Sequence, residues 1–312
     1  MKNKRVVITG GAGFIGSNLA EELAKDNEVV ILDDLSTGQR ENIKNLIKKT
    51  NVQSIQGSIT DLTLLQKTFK EADFVFHQAA VASVSKSVAD PVAANEVNAN
   101  GTLNVLVAAR DNHVKKVVYA SSCAVYGDNP VLPKREDMLP EPLSPYAVTK
   151  MAGEYYCQVF RQVYGLQAVC LRYFNVYGPR QDPHSDYAAV IPRFITRALQ
   201  NEPLTIFGDG EQTRDFVFIK DVVRANILAA EGKPEGVYNV GTGEAISINR
   251  LAQVIAAITG KKLNILYQQL RSGDILHSLA DISKARGMDY QPKYSLEDGL
   301  GETIRWFSNQ LS

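Results

Sequence analysis

The chain has 312 residues, of which 45% are hydrophobic and 22% are charged, and 34 Lys and Arg balance 34 Asp and Glu. A net charge of zero leaves no surplus of cations to neutralise phosphates, which argues against a nucleic-acid-binding protein, and the composition excludes disorder. No stretch approaches the ~20 apolar residues that span a bilayer, and the apolar run near the N-terminus is too short for a signal peptide. We therefore expect a cytoplasmic protein with neither nucleic-acid nor membrane partners.

Short β-branched runs alternate with longer amphipathic segments through the first half of the chain. This alternation is typical of an α/β fold in which a parallel sheet is covered by helices on both faces. The predicted strands are 5–9, 28–32, 52–56, 73–77, 116–120 and 168–174, and the predicted helices between them are 14–25, 61–71, 90–112 and 145–164.

After about residue 175 the pattern changes to segments rich in Gly and Pro, with fewer regular strand and helix units. We predict helices at 188–200, 219–231, 247–259 and 296–308 in this part. Two domains follow: residues 1–175 bind a dinucleotide, and residues 176–312 form mainly a smaller α/β substrate-binding lobe. Some segments of the lobe are expected to cross back to the first domain.

Three glycines, Gly10, Gly13 and Gly16, follow the first predicted strand and open the first helix. In this position the first permits a tight turn, the second lets the backbone approach a pyrophosphate, and the third packs helix against strand. The helix N-terminus adds free N–H groups for the phosphates. The spacing therefore predicts a dinucleotide site on a doubly wound Rossmann-type sheet.

The second predicted strand runs into Asp33 and Asp34, seventeen residues and more beyond Gly16. An acid in this place accepts hydrogen bonds from both ribose hydroxyls, and two carboxylates repel a 2′-phosphate, so NAD is favoured over NADP. For Asp34 a turn or capping role is the alternative.

The segment that starts at Ser144 reads as a helix start, with Ser as the N-cap and Pro145 at the first helical position. Tyr146 and Lys150 are then four residues apart on one face. A nearby ammonium group favours phenolate over phenol, so we predict that Lys150 lowers the pKa of Tyr146 toward the range of a general base. A solvated helix face is the alternative for this pair.

The fifth predicted strand leads into Ser122, which places a hydroxyl at the carboxyl end of the sheet, where ligands bind in such folds. This hydroxyl could donate a hydrogen bond to a reacting oxygen; a serine-rich turn is the alternative. The three cysteines, Cys123, Cys157 and Cys170, form no CxxC pair, so we expect buried free thiols and no metal site.

Taken together, five segments resemble the extended short-chain dehydrogenase/reductase family. They are TGGAGFIG (9–16), HQAA (77–80), Asn98-x-x-Gly101-Thr102, SSCAVYG (121–127) and YAVTK (146–150). The resemblance covers essentially the whole chain and implies that Ser122, Tyr146 and Lys150 are the catalytic residues. The family often has Gly-Asp-Ile after the third strand, whereas this chain has Gly57-Ser58-Ile59; Ser58 could still accept the adenine amino group. By resemblance, the NAD-binding residues are Gly10, Gly13, Phe14, Ile15, Gly16, Asp33, Asp34, Ser36, Thr37, Gly38, Ser58, Ile59, Gln78, Ala79, Ala80, Asn98, Tyr146, Lys150 and Tyr173.

The second half resembles the nucleotide-sugar 4-epimerases of this family in the segments 172–183, 187–192, 206–216 and 271–278. The resemblance implies that Arg214 and Arg271 pair with the two phosphates of UDP, for which a guanidinium fork is suited. Asp274 would accept from the ribose, Asn175 would donate to a phosphate, and four residues would frame uracil. Without the family, surface ion pairs are the alternative for the two arginines. The implied substrate residues are Ser83, Ser122, Tyr146, Asn175, Ala189, Val190, Thr205, Phe207, Arg214, Arg271, Asp274 and Ser278.

The activity implied by the resemblance is NAD-dependent inversion at C4 of a UDP-hexose through a transient 4-keto sugar and NADH. Cys123 and Ala124 stand where related 4,6-dehydratases carry an acidic pair, so dehydration is not expected. UDP-glucuronate 4-epimerases and decarboxylases are the nearer alternatives, and a non-catalytic dinucleotide sensor or scaffold is the alternative of another class.

Ser278 occupies a position where some 4-epimerases carry a bulky tyrosine next to the sugar. A small residue leaves room for an N-acetyl group at C2, so UDP-N-acetylglucosamine and UDP-N-acetylgalactosamine are expected substrates, with UDP-glucose and UDP-galactose not excluded. The resemblance also implies a homodimer through the helices at 90–112 and 145–164.

Overall fold

The computed structural model describes residues 1–183, 189–270 and 275–311, and Leu311 only by its backbone. Thirteen strands and twelve α-helices lie in these ranges. The strands are β1 (Arg5–Thr9), β2 (Glu28–Asp33), β3 (Val52–Gln56), β4 (Phe74–His77), β5 (Lys116–Ser122), β6 (Ala168–Tyr173), β7 (Asn175–Tyr177), β8 (Leu204–Phe207), β9 (Thr213–Arg214), β10 (Phe216–Phe218), β11 (Gly236–Val240), β12 (Ile246–Ser247) and β13 (Ile265–Gln268). The helices are α1 (Phe14–Leu23), α2 (Arg40–Ile43), α3 (Leu62–Thr68), α4 (Val84–Ala89), α5 (Pro91–Asn95), α6 (Gly101–Asp111), α7 (Pro145–Tyr164), α8 (Val190–Leu199), α9 (Ile219–Glu231), α10 (Ile248–Thr259), α11 (Ser283–Arg286) and α12 (Leu296–Leu311).

Seven strands form one parallel sheet in the order β11-β6-β5-β4-β1-β2-β3. The predicted α/β class with a doubly wound parallel sheet is therefore confirmed. The strand order reverses between β1 and β4, and in such sheets ligands bind at the carboxyl ends of the strands next to this reversal.

Alternate residues of each strand point to opposite faces, and each face carries its own core. Val6 and Ile8 of β1 pack with the α1 and α9 side, whereas Val7 packs with the side formed by α3, α6 and α7. Both faces of the central strands are fully buried, which explains why these strands are continuous apolar runs in the sequence.

The predicted helix at 90–112 is confirmed in its extent, since helical residues run from Pro91 to Asp111, but it is not a regular α-helix. The chain forms α4 before it, breaks at Asp90, forms α5, and continues through a π-helical segment, Glu96–Asn100, into α6. Asp90 explains the break, because its side chain accepts from the N–H of Ala93 and caps α5, with Pro91 at the first helical position.

The second half contributes β11 to the large sheet and α9 to the helices that cover it. Helices α8, α10 and α12 pack together beside three two-stranded sheets and form a smaller lobe. The sequence did not predict these short strands. Within the described ranges, none of the helices combines the length and the apolar character that a membrane crossing requires.

Candidate active site

The loop between β1 and α1 has the geometry of a phosphate cradle. Gly10 has a φ of +68°, and a Cβ there would lie 2.6 Å from the backbone nitrogen of Ala79. A Cβ on Gly16 would lie 2.1 Å from the carbonyl oxygen of Gly10, so neither position accepts a side chain. Helix α1 begins at Phe14 without a side-chain cap, which leaves its first N–H groups and positive dipole end for an anion. These residues fit a dinucleotide pyrophosphate.

The two aspartates after β2 differ in environment. The Asp33 carboxylate accepts from the N–H groups of Ala12 (2.9 Å) and Leu35 (2.8 Å), and burial raises its pKa. Asp33 thus ties the glycine loop to the end of β2. Asp34 is exposed and accepts from the N–H and the hydroxyl of Ser36, so it has the turn role that the sequence left as an alternative. A ribose contact by either carboxylate stays a prediction.

The rest of the predicted NAD-binding set lies at the same edge of the sheet, in loops and, for Ile15, in the first turn of α1. The hydroxyl of Ser58 lies 2.9 Å from that of Thr60, and Ile59 is buried against Gly101. Because parallel strands all end at one edge, these loops are brought together by the topology alone. The other members here are Ile15, Thr37, Gly38, Ala79 and Ala80.

His77, the last residue of β4, is completely buried between two threonines. Its Nδ1 lies 2.7 Å from the hydroxyl of Thr9, and its Nε2 lies 2.9 Å from that of Thr102. Burial lowers the pKa of His77 to about 3, with the charge of Lys150 acting in the same direction. His77 is therefore a neutral structural residue beneath the site.

Gln78 and Tyr173 share a polar partner that the sequence did not reveal. The side-chain carbonyl of Asn226, on α9, accepts from Gln78 Nε2 (3.1 Å) and from the Tyr173 hydroxyl (3.0 Å). Asn226 is completely buried. Nothing in the local sequence marks it, because its partners lie more than 50 residues away.

Asn98 lies inside the π-helical segment, an irregularity that is frequent at functional sites. Its amide oxygen accepts from the N–H of Val81 (2.8 Å), and its amide nitrogen donates to the Val81 carbonyl (3.2 Å) and to the Thr149 hydroxyl (3.1 Å). Ser83, a predicted substrate residue, caps α4 by accepting from the N–H of Lys86. Asn98 thus anchors the segment before α4 to helix α7.

Helix α7 carries Tyr146 and Lys150 on one face, as their spacing predicts. The ammonium nitrogen of Lys150 lies 5.9 Å from the ring centre of Tyr146 and donates to the carbonyl of Ala120 at 2.7 Å. Ser122 ends β5, and its side chain hydrogen-bonds Tyr146. Lys150 is only 4% exposed, which excludes the solvated helix face as its role. A hydroxyl, a phenol and an amine therefore meet at the carboxyl edge.

The sequence predicts that Lys150 lowers the pKa of Tyr146. Among the groups that the protein itself supplies, this prediction is wrong. Burial of the phenol raises its pKa to about 12, and the hydrogen bond from Ser122 offsets only part of this effect. The Lys150 ammonium points at the Ala120 carbonyl rather than at the phenol oxygen. Desolvation of the phenolate therefore decides the direction of the shift in the pKa of Tyr146.

The ammonium group of Lys150 is destabilised by its own burial but remains the main form at neutral pH. Burial lowers its pKa to about 8, and the charge of Glu154, one turn further along α7, acts in the opposite direction. Glu154 is held by Arg172 through two hydrogen bonds of 2.8 and 2.7 Å, and both side chains are buried. This ion pair was not predicted, although Glu154 follows Lys150 by four residues and so shares its face.

A cavity of about 230 Å³ lies in the smaller lobe and gathers most of the predicted nucleotide-binding residues. It is also lined by residues that the sequence did not single out, among them Arg193, Gln212 and Tyr177. The predicted residues that line it are Asn175, Ala189, Val190, Thr205, Phe207 and Arg214.

The guanidinium group of Arg214 donates to the carbonyls of Thr213 (2.9 Å) and Leu276 (3.1 Å). These bonds hold the side chain at the wall of the cavity. The other two predicted phosphate and ribose residues, Arg271 and Asp274, lie outside the described residues.

Ser278 connects the cavity to the catalytic residues. It is 8% exposed, its N–H donates to the Thr213 carbonyl (3.1 Å), and its side chain hydrogen-bonds the thiol of Cys123, the neighbour of Ser122. Burial raises the pKa of Cys123 to about 11, with the charge of Arg214 acting against it. The three cysteines are free thiols.

The described ranges contain no group of three or more His, Cys, Asp or Glu side chains arranged to hold a metal ion.

Comparison with known proteins places this site in a family. Residues 6–241 match the NAD dependent epimerase/dehydratase family. The chain is 46% identical to a UDP-N-acetylglucosamine 4-epimerase from Methanobrevibacter ruminantium solved with UDP-N-acetylmuramic acid (TM-score 0.97, covering 99% of this chain and 100% of that one). It is 40% identical to a Thermus thermophilus UDP-glucose 4-epimerase solved with NAD (TM-score 0.89, 97% and 99%). It is 36% identical to a Bacillus cereus UDP-glucuronic acid 4-epimerase solved with UDP-glucuronic acid and NAD (TM-score 0.91, 99% and 100%).

Proposed function

The chain belongs to the NAD dependent epimerase/dehydratase family, and from this premise we infer that it is an NAD-dependent isomerase that inverts C4 of a UDP-hexose. The observation that carries this function is the position of Tyr146, Lys150 and Ser122. They lie at the edge of the sheet that carries the glycine cradle, and Cys123 and Ser278 connect them to the cavity in the smaller lobe.

We assign the proton transfer to Tyr146, which removes the proton of the sugar 4-hydroxyl, while the hydroxyl of Ser122 holds the same oxygen by a hydrogen bond. The glycine cradle and Asp33 would hold NAD, which would supply the hydride acceptor for C4. The ammonium group of Lys150 would bind the ribose of the nicotinamide nucleotide and supply positive charge close to Tyr146. Because burial raises the pKa of Tyr146 to about 12, cationic charge at this point is needed for the phenol to ionise.

Inversion also requires that the two halves of the substrate be held differently. Arg214, with the predicted Arg271, would bind the diphosphate through charge-assisted hydrogen bonds, which are roughly twice as strong as neutral ones. The hexose has to turn over between the two hydride transfers, so its own contacts must be few. Enclosure between the two lobes keeps water from the keto sugar.

The test is an assay of the purified protein with UDP-glucose, UDP-N-acetylglucosamine and UDP-glucuronate, without added NAD. Turnover of a hexose or N-acetylhexosamine substrate supports the proposal, and turnover without supplement shows that NAD co-purifies. Exclusive turnover of UDP-glucuronate would favour the alternative suggested by the Bacillus cereus relative. Inversion of none of the three would support a non-catalytic dinucleotide sensor or scaffold.

Tyr146→Phe removes the proposed proton acceptor and leaves the cavity of the smaller lobe unchanged. We expect turnover to fall severely, by at least ~10²-fold, with little change in the affinity for UDP measured by calorimetry. Near-normal turnover in this variant would remove Tyr146 from its role.

We further propose that the sugar site accepts an N-acetyl group at C2 because Ser278 is small. Ser278→Tyr should lose UDP-N-acetylglucosamine turnover selectively and keep UDP-glucose turnover. Equal loss of both substrates would contradict the proposal.

A homodimer is proposed from an apolar stripe on the surface. Helix α7 exposes Val148, Tyr155, Val159 and Val163 at helical spacing, and α4 and α5 continue the stripe with Val84, Val88 and Val92, of which Val92 is 78% exposed. An exposed apolar surface of this kind marks an interaction site, and its occupant here is a second copy of the chain. The proposed interface therefore uses residues 84–95 rather than the whole of the predicted 90–112.

Val159→Glu should convert the dimer to a monomer in sedimentation equilibrium. Ile47→Glu, which places the same charge on an exposed apolar residue outside the stripe, should leave the dimer intact. A wild-type protein that sediments as a monomer would contradict the proposal.

Acting on UDP-sugars with NAD, the enzyme is proposed to work in the cytoplasm, where it would connect galactose metabolism to the glucose-configured sugars. Cell fractionation followed by immunoblotting tests this location.

A further inference from the structure

The first turn of helix α7 is held by two serines from different parts of the chain. The first N–H groups of a helix have no partner within it. Ser144, the N-cap, accepts from the N–H of Ala147 at 3.2 Å. The N–H of Tyr146 donates instead to the hydroxyl of Ser87, on α4, at 3.0 Å.

The hydroxyl of Ser87 is fixed in direction. Ser87 is completely buried, and its hydroxyl donates to the carbonyl of Val84 at 2.6 Å. With its proton committed to Val84, the oxygen presents a lone pair to Tyr146. The contact joins residues 59 positions apart, so it fixes the start of α7 to a separate helix.

The carbonyl of Tyr146 is tied to the same region. It accepts from the hydroxyl of Thr149 at 2.8 Å, and this hydroxyl in turn accepts from the amide of Asn98 at 3.1 Å. Asn98 also holds both backbone groups of Val81, which precedes α4. Both backbone polar groups of Tyr146 are therefore connected to the segment 81–98.

We propose that Ser87 is a positioning residue for Tyr146: its hydroxyl fixes the backbone of Tyr146 so that the phenol stays within reach of Ser122 and of the sugar 4-hydroxyl. The inference rests on the role of Tyr146 in the proposed function. Proton transfer depends on hydrogen-bond distance, and a displacement of about 1 Å at a reacting group can cost ~10²-fold in rate. Ser87 reaches the chemistry only through the backbone of Tyr146.

Ser87→Ala removes the acceptor and leaves the half-buried N–H of Tyr146 without this partner. We expect kcat to fall roughly 10-fold to 10²-fold, with KM and UDP affinity changed less than about 2-fold. Ser87→Cys fills the same space with a weak acceptor, so its kcat should be intermediate. Ser295→Ala removes an exposed hydroxyl that accepts from the N–H of Asp298 at the start of α12. It is the control for the loss of a serine acceptor away from the site, and its kcat should equal that of the wild type.

A merely structural Ser87 would give an Ala variant with lower thermal stability and a kcat within about 2-fold of the wild type, and this result would overturn the proposal. A rise in KM at constant kcat would overturn it as well.

A double-mutant cycle separates this inference from the proposed function. If Ser87 acts through the phenol, Ser87→Ala should have no further effect on the residual turnover of Tyr146→Phe. The same fold-loss in both backgrounds would overturn the positioning role and leave the proposed function standing. Full turnover of Tyr146→Phe alone would remove Tyr146 from its role and overturn the positioning role with it, whereas inversion of none of the UDP-sugars by the wild type would refute the proposed function.

Discussion

Lys150→Met is expected to make the protein inactive. The stability of the variant minus that of the wild type is expected to be larger at neutral pH than at alkaline pH. Lys150 is 4% exposed, and burial lowers its pKa from 10.5 to about 8. At ~1.36 kcal/mol per pH unit, this difference corresponds to about 3 kcal/mol of native-state destabilisation at pH 7, where the ammonium group must be kept charged in the interior.

The sign follows from proton binding. Between pH 8 and 10.5 the unfolded chain binds a proton at Lys150 that the folded chain has released, so wild-type stability rises with pH across this window. Methionine fills a similar volume and carries no proton. The stability of the variant minus that of the wild type should therefore fall by about 2 to 3 kcal/mol from pH 7 to pH 10.

The neutral amine can still donate to the Ala120 carbonyl, and the loss of this bond in the variant reduces its stability by about 0.5 to 1.5 kcal/mol at both pH values. The extra strength that the bond has with the ammonium group is already contained in the pKa of Lys150. The change with pH is thus the decisive quantity.

The assay is urea unfolding of both proteins, stripped of cofactor, followed by circular dichroism at pH 7 and pH 10. Cofactor is removed because a ligand of the folded state adds its own stabilisation. Lys48→Met, at an exposed lysine, is the control and should differ from the wild type equally at both pH values. If the free energy of unfolding of Lys150→Met minus that of the wild type does not change with pH, the reasoning is refuted.

Three further outcomes are expected. The pKa of His77 is lowered from 6.5 to about 3, so the wild type should lose about 3 kcal/mol of stability through this group between pH 7 and pH 4. The stability of His77→Asn should fall less steeply with acid, and equal slopes of stability against pH in the two proteins would contradict this. Gly153→Ala places a Cβ 2.3 Å from the hydroxyl of buried Tyr119 and should lower the free energy of unfolding by about 1 to 3 kcal/mol. Gly301→Ala on α12 meets only the end of a flexible arginine side chain, at 3.8 Å, and should raise the free energy of unfolding by about 0.5 to 1 kcal/mol. Thermal unfolding of both variants tests these opposite signs. Arg214→Lys keeps the positive charge but loses the two parallel N–H donors of the guanidinium group, so calorimetry with UDP should show roughly 10-fold weaker binding. An unchanged affinity would exclude Arg214 as a diphosphate ligand.

Much of the first half of the fold could be predicted because its signals are local. The buried strands β1, β2 and β5 are continuous apolar runs, and α7 has an N-cap, a Pro at its first position and a C-terminal Gly165 with positive φ. Strands such as β7 and β9 have three and two residues and exist only through pairing with distant segments. No local pattern marks segments of this length.

The candidate site divides in the same way. The spacing of Tyr146 and Lys150 on one helical turn predicts that they share a face. The bond from Tyr146 to Ser87 and the shared partner Asn226 depend on how separate elements pack, which the sequence does not display. The predicted direction of the Tyr146 pKa shift was wrong for a related reason. Burial sets this direction, and residue spacing shows which charged groups are close but not how far a group is removed from water.

Strand β11 has a consequence for engineering. It belongs to the second half of the chain, yet Gly236–Val240 pairs along Val169–Tyr173 at the outer edge of the large sheet, and α9 packs beside α1. A chimaera that exchanged residues 176–312 for those of another protein would also replace this edge strand and one covering helix. Exchange of the whole second half would therefore disturb the large sheet and the helices that cover it. An altered sugar preference is better obtained by point substitutions in the existing chain.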